Sequence, residues 1–255
     1  MRDAQHCGPM TREDLLHLAT TFRDAAADDL AQAQQLSDIH WATFRAQERL
    51  DSLEQQLFAG LEVKVDCRAG CSACCHLAKI DARAHEIFAL AAWIAEHFSE
   101  EDRVALIARA KAHAEAVAGL SLAEHLRTVR ACPMLQDAKC SVHPGRPSVC
   151  RIGHSTDVSI CERAFENPSD LKARGGHNPD VKASMTAAAD GSTFAFIEAG
   201  MDRTTYDLSS ALYEALSDPE SLNRWIGGEQ AFSDSAKAKQ EGLGLGVASD
   251  NIPAE

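Results

Sequence analysis

Cys67-Arg68-Ala69-Gly70-Cys71-Ser72-Ala73-Cys74-Cys75 places four thiols within nine residues. That density is too high for packing alone. Two or three residues between cysteines let one turn of chain curl around an ion with the sulfurs converging at bonding distance. Gly70 and the small Ser72 and Ala73 permit such a curl without steric conflict. Adjacent cysteines in extended chain point apart. Cys74 and Cys75 therefore imply two neighbouring sites, or one ligand beside a supporting or reactive thiol. A second group follows at Cys132, Cys140, Cys150 and Cys161, leaving only Cys7 of the nine cysteines apart, on an N-terminus expected to be mobile. Four and four, separated by cysteine-free helical sequence, is what two segments closing over a shared site require. The fold is read outward from that requirement.

On the N-terminal side, Leu15, Leu18, Phe22, Ala26, Leu30, Ala33, Leu36, Trp41, Phe44, Leu50, Leu53 and Leu57 recur at spacings close to three and four. The stretch from Thr11 to Leu57 reads as one long helix or two joined near Ser37, opened by a Thr11–Asp14 cap. Between the cysteine groups, helices are expected over 81–98, from a Ser99 cap to Ala118, and over 121–129. Beyond Cys132 the character changes. Pro133, Pro144, Gly145, Pro147, Pro168, Gly175 and Gly176 predict loop-rich chain to about Asn178. Helical pattern then resumes near 181–189, 194–200 and 207–216, with one more helix opening at Pro219.

The 255 residues are 45% hydrophobic and only 5% aromatic, and alanine is frequent, which favours helices packed through small side chains over a sandwich of sheets. The expected fold is mainly α: a helical bundle scaffold with a loop-rich, metal-organised cysteine segment. Its expected divisions are an N-terminal helical region at 11–60, a cysteine-cluster domain at 61–232 and a disordered tail at 233–255. Gly242, Gly244 and Gly246 in that tail follow no strand and are assigned no nucleotide-binding role.

A formal charge of −13 and the lack of any basic run argue against nucleic acid. The longest apolar run, Phe88 to Ala95, is too short to cross a bilayer. The opening MRDAQHCGPMTRED has neither the apolar stretch of a secretory signal nor the composition of a transit peptide. A cytoplasmic setting follows as the expectation. Thiols stay reduced there, which turns the cysteines from disulfides toward metal. Zinc would use thiolates, with His76, His143 or His154 as further ligands. An iron–sulfur cluster would take four thiolates, and the Cys67-x3-Cys71-x2-Cys74 step suits it, as does Cys132-Pro133. The same step occurs in radical enzymes that use S-adenosylmethionine, but the alternating strands of their barrel are missing here. Metal-free thiol catalysis by Cys74 or Cys75 beside His76 is disfavoured, because adjacent residues rarely face each other productively.

Cys67-x3-Cys71-x2-Cys74-Cys75, then Cys132-Pro133-x-Leu135, then Cys140-Ser-Val-His143-x2-Arg146-Pro147-x2-Cys150-Arg151 resembles the YkgJ-type cysteine-cluster family, described as a zinc- or iron-chelating domain. The resemblance covers about Asp66 to Arg151. His143 and Ile152 stand where that family often has aromatic residues, and Cys161 lies further from Cys150 than its pattern suggests. The same cluster occurs in flagellin lysine N-methylases, where it accompanies an iron–sulfur centre. The resemblance therefore implies a [4Fe–4S] cluster ahead of zinc, and redox or methyl-transfer chemistry ahead of a purely structural or interaction module. It also implies that Arg146 and Arg151 donate to cluster sulfur, with a plain ion pair to a carboxylate as their other reading. All eight clustered cysteines are candidate ligands.

Overall fold

The computed structural model describes residues 10–170 and 175–238, so Cys7 and Gly242, Gly244 and Gly246 lie outside it. The protein is mainly α-helical. Helices α1 (Arg12–Ala31) and α2 (Leu36–Gly60) form the N-terminal pair, separated by a short turn. The Thr11 side chain caps α1 by accepting from Asp14 N, and Asp38 accepts from the amides of Gln34 and Gln35 to open α2.

The third helix of this layer is α9 (Pro179–Glu198). It runs unbroken through Asp190-Gly191, where the sequence pattern predicts two helices, 181–189 and 194–200. Gly191 is not a breaker here. A Cβ built on it would lie 2.0 Å from the carbonyl oxygen of Ala19, so its missing side chain lets the backbones of α1 and α9 touch. Ala26, Ala42, Ala195 and Phe196 fill the crossing, and Leu50, Val181, Met185 and Ala188 pack beside it. Small side chains are what make this packing close.

A second layer holds the largest core. Strand β1 (Asp81–Arg83) precedes α4 (Ala84–His97), where the sequence pattern predicts helix from 81. It pairs antiparallel with β4 (Thr205–Asp207), matching Asp81 with Asp207. Helices α5 (Glu100–Val117), capped by Ser99, and α6 (Leu122–Arg127) follow α4. Helices α10 (Leu208–Ser217) and α11 (Pro219–Ile226) complete the layer. Ile87, Leu90, Ile94, Leu106, Tyr206, Leu212 and Phe232 are fully enclosed among them. Each such side chain contributes on the order of 1.5–3 kcal/mol on burial. Chain past Phe232 continues this packing: Ala236 is buried, and Ala238 N–H donates to Thr205 O at 2.9 Å. The remainder of the expected tail lies outside the described residues.

Between these layers run the cysteine segments. Helix α3 (Ala73–Leu77) carries Cys74 and Cys75. The loop-rich chain expected after Cys132 contains a hairpin of β2 (Leu135–Gln136) and β3 (Lys139–Cys140), then α7 (Ser148–Ile152) and α8 (Val158–Glu166). Helix α7 leans on the scaffold, packing on α2 and α9, while α8 packs on α3 of the other cysteine segment.

Candidate metal centre

The first cysteine segment is shaped by three local devices. Gly70 adopts φ +88°, closing a turn in which Cys71 N–H donates to Arg68 O at 2.9 Å. Asp66 and Cys67 are held to the chain before α8. Asp66 N–H donates to Ser155 O at 2.9 Å, and Ser155 N–H donates to Cys67 Sγ at 3.2 Å. The helical turn of α3 then sets Cys74 and Cys75 at successive positions with their sulfurs 4.0 Å apart. Helical chain turns about 100° per residue. The two sulfurs nevertheless stay within hydrogen-bond reach of each other, where extended chain would have turned them apart.

The second segment docks on the first through its backbone. Arg130 N–H donates to His76 O at 2.8 Å and Cys132 N–H donates to Cys75 O at 2.7 Å. Leu135 faces Cys140 across the hairpin, whose turn residues Asp137 and Ala138 both have positive φ. Buried Glu86 on α4 then receives Ser148 N–H at 2.7 Å, fixing the start of α7 and hence Cys150. Cys161 comes from α8.

All eight candidate thiols are free, and they lie along this one seam. Cys67 and Cys74 are exposed and the other six half-buried. Among the described residues, no three Cys, His, Asp or Glu side chains stand at the mutual distances of a closed metal cage. The fit to metal lies in the chemistry of the donor set, eight soft sulfurs that two segments bring to one seam. Burial pushes most of these thiols up, Cys132 to about 11, and Cys67, Cys140 and Cys150 in the same direction. Cys74 goes the other way, held down to about 6 chiefly by the hydrogen bond from the Cys75 thiol, whose own ionisation is correspondingly opposed. Metal binding would have to displace protons from most of the set.

The histidines divide. His154 is committed to structure: Nδ1 donates to Ile152 O at 3.1 Å, and Nε2 accepts from Asn178 N–H at 3.0 Å. His143 Nδ1 accepts from Arg146 at 3.0 Å. His76 Nδ1 donates to Ser72 O at 2.9 Å, and its ring meets Phe165 edge-on. These two residues, with Cys71, Cys161 and Arg68, line an open cleft of about 420 Å³.

The two motif arginines serve mainly as ties to α2. Arg151 is 3% exposed; it donates from Nε to Arg146 O and from its two terminal nitrogens to Asp51, Gln47 Oε1 and Pro144 O. Four partners occupy its fork, which is the ion-pair reading of this side chain. Arg146 donates to His143 and to Asp51 at 3.4 Å, and its charge partly offsets the burial of Cys140. Asp51, Gln47, Glu86 and Ser155 were not singled out from the sequence. Asp51 and Gln47 are separated from Arg151 by about a hundred residues, and no local pattern signals such a contact. A further polar group has no signal in the local sequence. His113, His125, Arg130 and Asp207 surround a void of about 10 Å³ beside Cys75 and Cys132, and the Nδ1 of His113 is buried there without a partner.

Residues 66–171 match the family model CxxCxxCC, described as "Putative zinc- or iron-chelating domain". No curated protein and no solved structure matches the chain. The matched range begins one residue before Cys67 and takes in all eight thiols of the seam. Chelation of zinc or iron is what that description and the all-sulfur donor set have in common. No helix among the described residues is long and apolar enough to cross a membrane.

Proposed function

We propose that the two cysteine segments hold an iron–sulfur centre, with [4Fe–4S] as its form and all eight seam thiols as its ligand pool. The observation that supports this most directly is the backbone docking of Cys132 on Cys75. It joins thiols otherwise separated by α4, α5 and α6 and leaves sulfur as the common donor. A cluster supplies one-electron chemistry when bound, and its potential responds to hydrogen bonds on its sulfurs. Ser155 N–H on Cys67 is such a bond. Methyl-transfer chemistry rests on family resemblance, and a cytoplasmic setting on the reduced thiols such a centre requires.

Protein purified without oxygen is expected to be brown, with iron and acid-labile sulfide in matched amounts. Cys71→Ser and Cys74→Ser should each lower that content sharply, whereas Cys7→Ser should leave it intact. Equal content in all three variants would remove the assignment.

A second reading, a zinc clasp without catalysis, is favoured by the thin hydrophobic core of the segment. Among residues 131–170 the buried apolar side chains are Met134, Val142 and Ala164 with the prolines Pro133 and Pro147. Such chain needs another source of order, and a structural zinc supplies folding free energy directly. Colourless protein with stoichiometric zinc would establish this reading in place of the first. Under either metal, chelation should raise amide exchange across 130–166 while α1, α2 and α9 stay protected. Uniform protection after complete metal removal would show that the segment orders itself.

A further inference from the structure

We propose that α5 contributes to the centre as well: Arg109 and His113 donate hydrogen bonds to the thiolate sulfurs that metal loading creates at the Cys75–Cys132 contact. The inference rests on the chelating role proposed above and names two side chains, outside both cysteine segments, that answer the charge of the loaded site.

Buried polar atoms normally have partners, and one that lacks a partner calls for an explanation. Arg109 and His113 each bury such an atom, the terminal nitrogen Nη2 of Arg109 and Nδ1 of His113. The two residues stand four apart on α5 and so share one face of that helix. That face meets the second cysteine segment at its first thiol. Arg109 Nε donates to the carbonyl oxygen of Pro133, the residue after Cys132, at 2.9 Å. One turn further on, His113 lines the void of about 10 Å³ together with Cys75 and Cys132. The chain at Cys132 is thereby gripped from two sides. Its amide is held by Cys75 O on α3, and the next carbonyl by Arg109 on α5.

What the two spare nitrogens lack is an acceptor. The carboxylate on the void is that of Asp207, whose Oδ1 accepts from the amide and hydroxyl of Ser210 in capping α10. It makes no bond to His113 Nδ1. A neutral thiol accepts only weakly. Metal binding replaces thiols by thiolates, and a charged acceptor forms a hydrogen bond roughly twice as strong as a neutral one. Loading thus creates at Cys75 and Cys132 the acceptors that this face of α5 is without. Ser155 N–H already serves Cys67 in the same way from the chain before α8. Arg109 and the Nδ1–H tautomer of His113 do so for the contact between the segments, one with a full positive charge and one as a neutral dipole.

The test compares wild type, His113→Phe, His113→Asn and Lys111→Met after anaerobic reconstitution with ferrous iron and sulfide. His113 is the cleaner probe, because its Nδ1 has no structural bond to lose. Donors to cluster sulfur favour the reduced, more negative form. The midpoint potential should therefore shift downward in His113→Phe. His113→Asn, whose amide nitrogen falls near the place of Nδ1, should recover most of that shift. Lys111→Met, on the exposed face of the same helix, should not move it. Far-UV circular dichroism checks that the helices are kept. Should His113→Phe lose them, Arg109→Lys decides, since it keeps a donor for Pro133 O without the second arm of the fork and should show the same downward shift. A wild-type potential in the variant that folds would overturn the role of α5 while leaving the cluster in place. If the protein proves colourless and holds zinc, the cluster fails and competition with a chelator reads the donors instead. Zinc affinity about tenfold lower in His113→Phe, restored in His113→Asn, would uphold them, and equal affinities would overturn them.

Discussion

Arg151→Ala should cost about 3 kcal/mol of stability, more than removal of a typical surface charge. The guanidinium is 3% exposed and holds Asp51, Gln47 and the carbonyls of Pro144 and Arg146 at once. Its removal leaves the Gln47 amide oxygen and two carbonyls without this donor, and Asp51 with Arg146 as its remaining partner. Unpairing a fully buried ion costs about 3–5 kcal/mol, and the low end applies because Asp51 is 35% exposed and water screens part of the loss. Arg151→Lys should recover little, since an ammonium cannot serve four acceptors arranged around a planar fork. Urea denaturation of the two variants checks both statements. Stability equal to wild type in Arg151→Ala would mean that α7 is fixed by Glu86 alone.

Gly191→Ala should be comparably damaging from the opposite cause. The added Cβ would meet the Ala19 carbonyl oxygen at 2.0 Å and its carbon at 2.7 Å. Both belong to backbone, which cannot rotate away as a flexible side chain would. Helix α1 must shift off α9, at a cost of about 3 kcal/mol or more, the upper end for overpacking. Thermal unfolding and protease sensitivity between Arg12 and Ala31 read the effect. Gly60→Ala is the control: nothing lies within 4 Å of its Cβ, and it should be neutral or slightly stabilising. If both variants melt alike, the α1–α9 crossing is looser than its geometry implies.

Much of the architecture was legible because the strongest signals were periodic or capped. The N-terminal pair, the Ser99 cap and the grouping of cysteines each follow from spacing within a few residues. What escaped had its cause elsewhere in the chain. Gly191 reads locally as a breaker, and only the approach of Ala19 explains why helix continues through it. Asp81–Arg83 is drawn into a strand by a partner more than a hundred residues later. Its Arg83–Glu86 step resembles a helix start, so the pattern extended the helix backward. The Cys140 hairpin turns on Asp137-Ala138, and the glycine that usually announces such a turn is missing. At the site, residue types announced metal, but the partners of Arg151 and Cys67 depend on contacts across the fold. Ser155 carries no sequence signal at all, since its backbone amide makes the contact.

The bond from Cys132 to Cys75 also orders events in time. It closes a loop that contains α4, α5 and α6 entire, and the entropy of that closure must be met before any sulfur of the second segment reaches the first. Helices with their own local contacts form ahead of such a closure. A chain emerging during synthesis would therefore present α1, α2, α4 and α5 with an open seam, Cys161 as the last of the eight thiols, and only then the helices α9, α10 and α11 that complete both layers. Metal delivered to Cys67–Cys75 alone would find half of its ligands missing, so productive loading belongs to the nearly complete chain.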